Sequence, residues 1–331
     1  MAFRGWEKVK IKRDDGELVD GIAPLIISAS RATDIPAFYS KWFIDRLNRG
    51  YVRWINPFNG KSQFISFQNV RLIMFWTKNP SPLLPLLSRI DEKKINYLFQ
   101  MTLNDYESEG LELRLPPLEA RIESFKLLSD KIGRERVSWR FDPIILTEKI
   151  TAEVLLGRIE RIGNQLAGFT KRLTVSFLTR YAKVDRNLKK AGLVLGDCDP
   201  ESIQKMGEGL RRLGLRWGIE VVSCAEQIDL SDFNIHNGSC IDPVSIARNF
   251  GDDTELRRFL GLNEKIDIFG QENFTFKSGL KDSGQRKLCG CIVSKDIGKY
   301  DTCPHGCIYC YANSSVEKAM SNYRMEKMDQ L

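Results

Sequence analysis

Six short apolar runs, separated by stretches of helical period, limit this chain to parallel strands covered by helices. The runs lie at 25–29, 72–76, 97–101, 137–141, 173–178 and 219–223. They are apolar nearly throughout rather than at alternate positions, the pattern of parallel strands buried on both faces. Between them, Leu118, Ile122, Phe125 and Ile132 share one helical face, and Leu155, Ile159, Ile162 and Leu166 share another. Ile203, Met206, Leu210 and Leu213 form a third stripe. Pro36, Pro80 and Pro117 fall where first-turn prolines are tolerated. No G-x-G-x-x-G loop follows the first run, which argues against a nucleotide-binding open sheet. The expected fold is therefore α/β, a partial (β/α) TIM-like barrel of parallel strands over residues 1–226. Residues 227–331 are expected to form a helical, cysteine-rich extension packing on the barrel mouth. Pro243 to Leu260 reads as helix, and 271–285 as a polar loop.

The cysteines are the second constraint. Five of the eight lie within the twenty-two residues from Cys289 to Cys310. The last three, Cys303, Cys307 and Cys310, read C-x3-C-x2-C with Tyr309 just before the final thiol. Three thiolates at this spacing can hold one face of a [4Fe–4S] cube and leave the fourth iron open to a small molecule. Residues 1–20 alternate charge without an apolar signal core, and no apolar stretch approaches the ~20 residues of a membrane span. Eight cysteines without an export signal therefore point to reduced thiols or metal ligation in the cytoplasm, not to disulfides.

The run Cys303 to Ala312 resembles the cluster-binding loop of radical S-adenosylmethionine enzymes, in its C-x3-C-x-aromatic-C signature. In those enzymes the loop follows the first strand; here it lies at the far end of the chain. From Ser28-Ala-Ser-Arg-Ala-Thr-Asp-Ile-Pro36 onward, through Ser294, Asp296, Ile297, Gly298 and Tyr300, the chain resembles an uncharacterised bacterial and archaeal family, DUF1848. The resemblance implies a [4Fe–4S] cluster on Cys303, Cys307 and Cys310, and S-adenosyl-L-methionine bound at its open iron. It also implies reductive cleavage to a 5′-deoxyadenosyl radical, and an electron donor such as flavodoxin or ferredoxin. Tyr309, in the aromatic slot of the motif, would lie near the adenine.

In a βα barrel, chemistry collects where strands end. The expected strand ends carry Ser28, Ser30, Arg31 and Asp34; Lys78; Asn104; Arg140 and Asp142; and Glu226. Ser, Thr, Asp and Asn also serve as caps and turns, whereas Arg31, Lys78, Arg140 and Glu226 are harder to explain that way. Ser28, Ser30 and Asn104 are assigned to the cofactor's ammonium and ribose, and Arg31 to its carboxylate. Arg31, Asp34, Lys78, Arg140, Asp142 and Glu226 are the candidate catalytic rim.

Cys289 and Cys291, with Cys224 at a strand end and Cys240, make a candidate four-cysteine site for a second [4Fe–4S] cluster or zinc. Cys198 reads as a bystander. His305 reads as a loop residue bonding near the cluster, and two histidines are too few for a histidine-based zinc hydrolase. Two alternatives stand beside this reading: a non-catalytic iron–sulfur or zinc protein, and repair or modification of nucleic-acid lesions within the radical S-adenosylmethionine superfamily. The net charge of +7 permits either a small-molecule or a nucleic-acid substrate.

Overall fold

The computed structural model describes residues 3–57, 59–196, 198–267, 272–282 and 284–328. The chain is mixed α/β around one eight-stranded sheet. In spatial order its strands are His236–Asn237, Glu220–Ser223, Arg172–Phe177, Val137–Ile144, Asn96–Thr102, Leu72–Thr77, Ile26–Ala29 and Lys295–Asp296. Every pairing is parallel. All six apolar runs are strands of this sheet. The four residues of Ile26–Ala29 are all buried, as two-sided covering requires. The ladder ends at His236–Asn237 on one side and Lys295–Asp296 on the other, with no pairing between them among the described residues.

The three helical stripes form helices Leu118–Ile132, Ala152–Leu166 and Pro200–Trp217. Ile122, Phe125, Leu155, Ile159, Leu210 and Leu213 point into the core. Thr151 and Asp199 cap the second and third through bonds from the N–H groups of Val154 and Ser202. Gly218 closes the third at φ 63°, a left-handed turn that favours glycine.

Two local expectations need correcting. Pro243 to Leu260 is two helices, Pro243–Phe250 and Thr254–Leu260, because Asp253 caps a new start with bonds from the N–H groups of Glu255 and Leu256. Within 271–285, Glu272–Thr275 is a strand paired antiparallel with Asn263–Ile266, not loop; Gln271 and Ser283 lie outside the described residues. The N-terminal charge alternation is itself a strand signal. Glu7–Lys12 and Leu18–Ala23 pair antiparallel and join Ser62–Ser66 and Tyr51–Ile55 in a separate four-stranded sheet.

The tail returns to the sheet. Lys295 and Asp296 pair with Ile27 and Ser28, so residues far beyond 226 complete the edge beside the first run. The crossing is close: a Cβ on Gly298 would stand 1.8 Å from Ser30 Oγ. Gly298→Ala should therefore destabilise the fold by about 1–3 kcal/mol through overpacking, read as a lowered denaturation midpoint. An unchanged midpoint would show that the edge strand is not held as described.

Candidate functional site

The segment carrying Cys303, Cys307 and Cys310 lies across the C-terminal ends of the first three core strands. Its backbone is stitched to a loop no periodicity marks: Glu112 and Cys307 form an antiparallel bridge. Ile308 N–H donates to Leu111 O at 3.0 Å, and Arg114 N–H to His305 O at 3.0 Å. Asn313 Nδ2 donates to Cys303 O at 2.7 Å. The three thiols share one electrostatic neighbourhood, each within reach of another's charge. Burial first, then Asp34 and the other two thiols, push the Cys303 thiol well above its ordinary value. Burial pushes Cys307 up to about 12, against the opposing pull of the Lys78 ammonium. Metal binding here must displace thiol protons.

Under this loop lies a buried polar network. Glu112, whose side chain is fully buried, accepts from Lys78 Nζ at 2.6 Å. Tyr309 O–H donates to the same carboxylate oxygen. The Tyr309 hydroxyl in turn accepts from Lys78 Nζ at 3.0 Å and Asn104 Nδ2 at 3.2 Å. The other carboxylate oxygen makes no hydrogen bond among the described residues and stands 3.7 Å from Arg121 Nη1. Burial alone would raise the Glu112 carboxyl, yet Lys78 and Arg121 hold it below the ordinary value. Burial likewise works against the Lys78 charge, but Glu112 and the Cys307 sulfur hold its pKa above normal. Burial, reinforced by Glu112, keeps the Tyr309 phenol neutral and a donor.

Asp34 is the second anchor. Its carboxylate accepts from Ala37 N–H at 3.0 Å, capping the short helix Ile35–Phe38. It also accepts from Thr77 Oγ1 at 2.7 Å and Lys78 N–H at 2.7 Å, and pairs with His305 Nε2 at 2.8 Å. His305 is thus a loop residue whose ring is tied to the sheet, with Nδ1 buried and without a hydrogen-bond partner among the described residues.

The remaining candidates divide. Arg31 is exposed with its guanidinium 5.0 Å from the Trp76 ring centre, and its carbonyl accepts from Tyr311 O–H at 2.8 Å, beside Cys310. Ser28 Oγ is 2.6 Å from Ser294 Oγ, and Ser30 Oγ accepts from the N–H groups of Ala32 and Thr33. Asn104 donates to Asp142 O at 3.0 Å and accepts from Asp142 N–H at 2.9 Å. These three side chains are engaged with protein. Glu226 accepts from Phe177, Gln227 and Ile228 N–H groups and works as a cap at a strand end. Arg140 is placed with the other cysteines: Nη1 donates to Cys240 Sγ at 2.9 Å and Nη2 to Asp142 at 2.5 Å.

Cys224, Cys240, Cys289 and Cys291 gather at this second place. Cys224 Sγ and Cys240 Sγ are 3.5 Å apart. Cys240 and Ile241 N–H groups donate to Cys291 Sγ at 3.1 and 3.4 Å. A hydrogen bond from Cys291 draws the Cys289 thiol down to about 6. Two thiolates on one tetrahedral zinc stand about 3.8 Å apart, given its ~2.3 Å bonds. A cube gives each thiolate its own iron and sets the sulfurs wider. Among the described residues, no three His, Cys, Asp or Glu side chains stand ready around a single ion. Cys198 is exposed and remote from both groups in sequence.

Sequence reading missed Glu112 and Arg121. Glu112 sits in Glu107-Ser-Glu-Gly-Leu-Glu112, where several carboxylates look alike and solvated. Glu112→Gln should destabilise the fold by about 3–5 kcal/mol at neutral pH, since Lys78 and Arg121 lose their buried counter-charge. Its carboxyl sits below the ordinary 4.5 when folded, so its contribution is full above that value and is lost as pH falls through the depressed one. Chemical denaturation across pH should show wild type and variant converging in acid; a constant gap would refute the buried pair.

No curated protein matches the chain. Among solved structures, a Bacteroides thetaiotaomicron VPI-5482 protein assigned as an alpha-L-fucosidase matches at 9% identity and TM-score 0.25, over 78% of this chain and 84% of its own. The cellulose synthase subunit Z (CcsZ) of Clostridioides difficile matches at 9% identity and TM-score 0.23, over 60% and 79%. Scores this low carry no argument. The profile described as "Domain of unknown function (DUF1848)" matches residues 26–312, from the first core strand through the third thiol of the tail, and the chain belongs to that family.

Proposed function

We propose that the protein is a radical S-adenosylmethionine-type iron–sulfur enzyme, with its cluster loop carried at the C-terminal end of the chain and its sheet serving as a partial barrel. What supports this reading is that Cys303, Cys307 and Cys310 lie on one short loop above the strand ends, where each thiol feels the others' charge and Lys78 and Glu112 stand beside them. These thiols suit a cube with one open iron better than a single ion, since each can serve a separate iron. Cys303, Cys307 and Cys310 would hold a [4Fe–4S] cluster there, and its reduced form would supply the electron for reductive cleavage of S-adenosyl-L-methionine.

The chain's own part is placement and charge. Lys78 sets a cation beside Cys307 and favours its thiolate. Arg31, exposed next to the loop, is the residue to meet the cofactor's carboxylate with two hydrogen bonds. Tyr309 orients the loop through Glu112 rather than offering its hydroxyl to a ligand. Asp34 fixes His305 and Lys78 N–H, and so the loop against the sheet. Ser28, Ser30 and Asn104 shape the floor through bonds already made. Asp142 and Arg140 extend that floor toward Cys240. Flavodoxin or ferredoxin fits as electron donor, and the compartment this chemistry calls for is the cytoplasm. No helix is long and apolar enough to cross a membrane among the described residues.

A second reading applies to Cys224, Cys240, Cys289 and Cys291. The 3.5 Å separation of Cys224 and Cys240 is nearer to two thiolates on one ion such as zinc than to a second cube, and the Cys289 and Cys291 thiols would have to close in to complete four ligands. Arg140 then supplies an N–H···S bond to a ligating sulfur, the kind of outer contact that tunes a metal site.

Two measurements follow. Anaerobic reconstitution with iron and sulfide, reduction and addition of S-adenosyl-L-methionine should yield 5′-deoxyadenosine, and Cys307→Ala should abolish it. Iron bound without product, with candidate substrates supplied, would favour the non-catalytic reading. Metal analysis of the protein as purified should find about one zinc, lost in Cys224→Ser, while reconstitution adds about four irons. About eight irons and no zinc would overturn the single-ion assignment.

A further inference from the structure

A cleft of about 1090 Å³ opens beside the cysteine loop. Its walls are helix Ser40–Arg49, strand Tyr51–Ile55, the segment 297–302 and the final helix. Five cations line it, Lys41, Arg46, Arg49, Arg53 and Lys299, against one carboxylate, Asp45. Asp45 is engaged by Arg46 at 2.5 Å and Arg49 at 3.0 Å. Lys41 and Arg53 are exposed and enter no ion pair among the described residues. Lys295 Nζ, outside the lining, stands 3.4 Å from the Trp54 ring centre and covers one face of that ring.

Interleaved with these charges are aromatic rings held in place. The Trp54 indole N–H donates to Gly298 O at 3.1 Å. Trp42 meets Tyr39 edge-on at 6.3 Å, and Tyr39 O–H donates to Thr302 O at 2.8 Å, next to Cys303. The volume lies at the upper end of the ~300–1,000 Å³ usual for one small molecule, which leaves room for several linked units. Fixed rings among cations are the chemistry that takes phosphates and the faces of unstacked bases together. An acidic peptide would use the charges and leave both indoles idle.

We propose that this cleft binds single-stranded nucleic acid, its phosphates on Lys41, Arg53 and their neighbours and its bases against Trp42 and Trp54. This inference is independent of the cluster: it is tested on the full chain without iron, so its failure and that of the radical reading are separable.

Fluorescence anisotropy with labelled twelve-nucleotide strands of deoxythymidine and of uridine should show binding by at least one, and any preference identifies DNA or RNA as the source. Three neutralised phosphates give a slope of log K against log salt of about −2. Arg53→Glu and Lys41→Glu should each weaken binding about tenfold or more, with circular dichroism unchanged. Lys171→Glu, exposed at the opposite end of the sheet, should have no effect. Should either charge reversal unfold the protein, Arg53→Gln replaces it, with a smaller loss expected. The proposal is overturned by no binding at low salt, by affinity indifferent to Arg53 and Lys41, or by heparin competing as well as the oligonucleotides.

Discussion

A carboxylate sealed from water at Glu112 is the constraint on which the rest of the site depends. An ionised carboxylate in a dry interior costs several kcal/mol unless cations and hydrogen bonds offset it. Lys78 comes from the end of one core strand, Arg121 from a helix, and Tyr309 from the cysteine tail. Satisfying one charge therefore requires three remote parts of the chain to converge. The tail cannot leave without stranding Glu112, so the thiols it carries are held over the strand ends. The same logic governs Asp34, which joins a helix start, a strand end and His305.

The polar groups also connect the two cysteine clusters. From Cys240 the bonds run through Arg140 to Asp142, through its backbone to Asn104, and on to Tyr309, Glu112 and Lys78 beside Cys307. The members come from the C-terminal ends of neighbouring strands and the segments just past them, from the loop that carries Glu112, and from the tail above. Burial strengthens each of these bonds and makes each costly to lose. The two thiol groups thus rest on one rigid polar layer rather than on separate loops.

The aromatic cleft adjoins that layer from outside. Tyr39 and Phe38 lie on the chain that Asp34 caps, and Phe38 packs edge-on to His305 at 4.6 Å. Two rings and one backbone bond thus join the cleft wall to the loop bearing the three thiols.

The strand runs and helix stripes were legible because period and burial are local properties: a strand covered on both faces must be apolar at nearly every position. Spacing singled out the cysteine groups as candidates, and position just past strands singled out Arg31, Asp34 and Lys78. The N-terminal hairpin was legible in principle, since Glu7–Lys12 alternates with the period of two that a half-exposed strand demands. Glu112, Arg121 and the aromatic cleft were not. A glutamate in an acidic loop looks solvated until the chain folds another segment over it, and cations on a helix look like a wet face until a strand and a returning tail enclose them. Likewise, long-range contact set the tail beside the first strand, through the pairing of Lys295 and Asp296 with Ile27 and Ser28 and the close packing of Gly298 on Ser30. Linear pattern determined which segments bury themselves; long-range contact decided which charges they trap, because desolvation belongs to the neighbours and not to the residue.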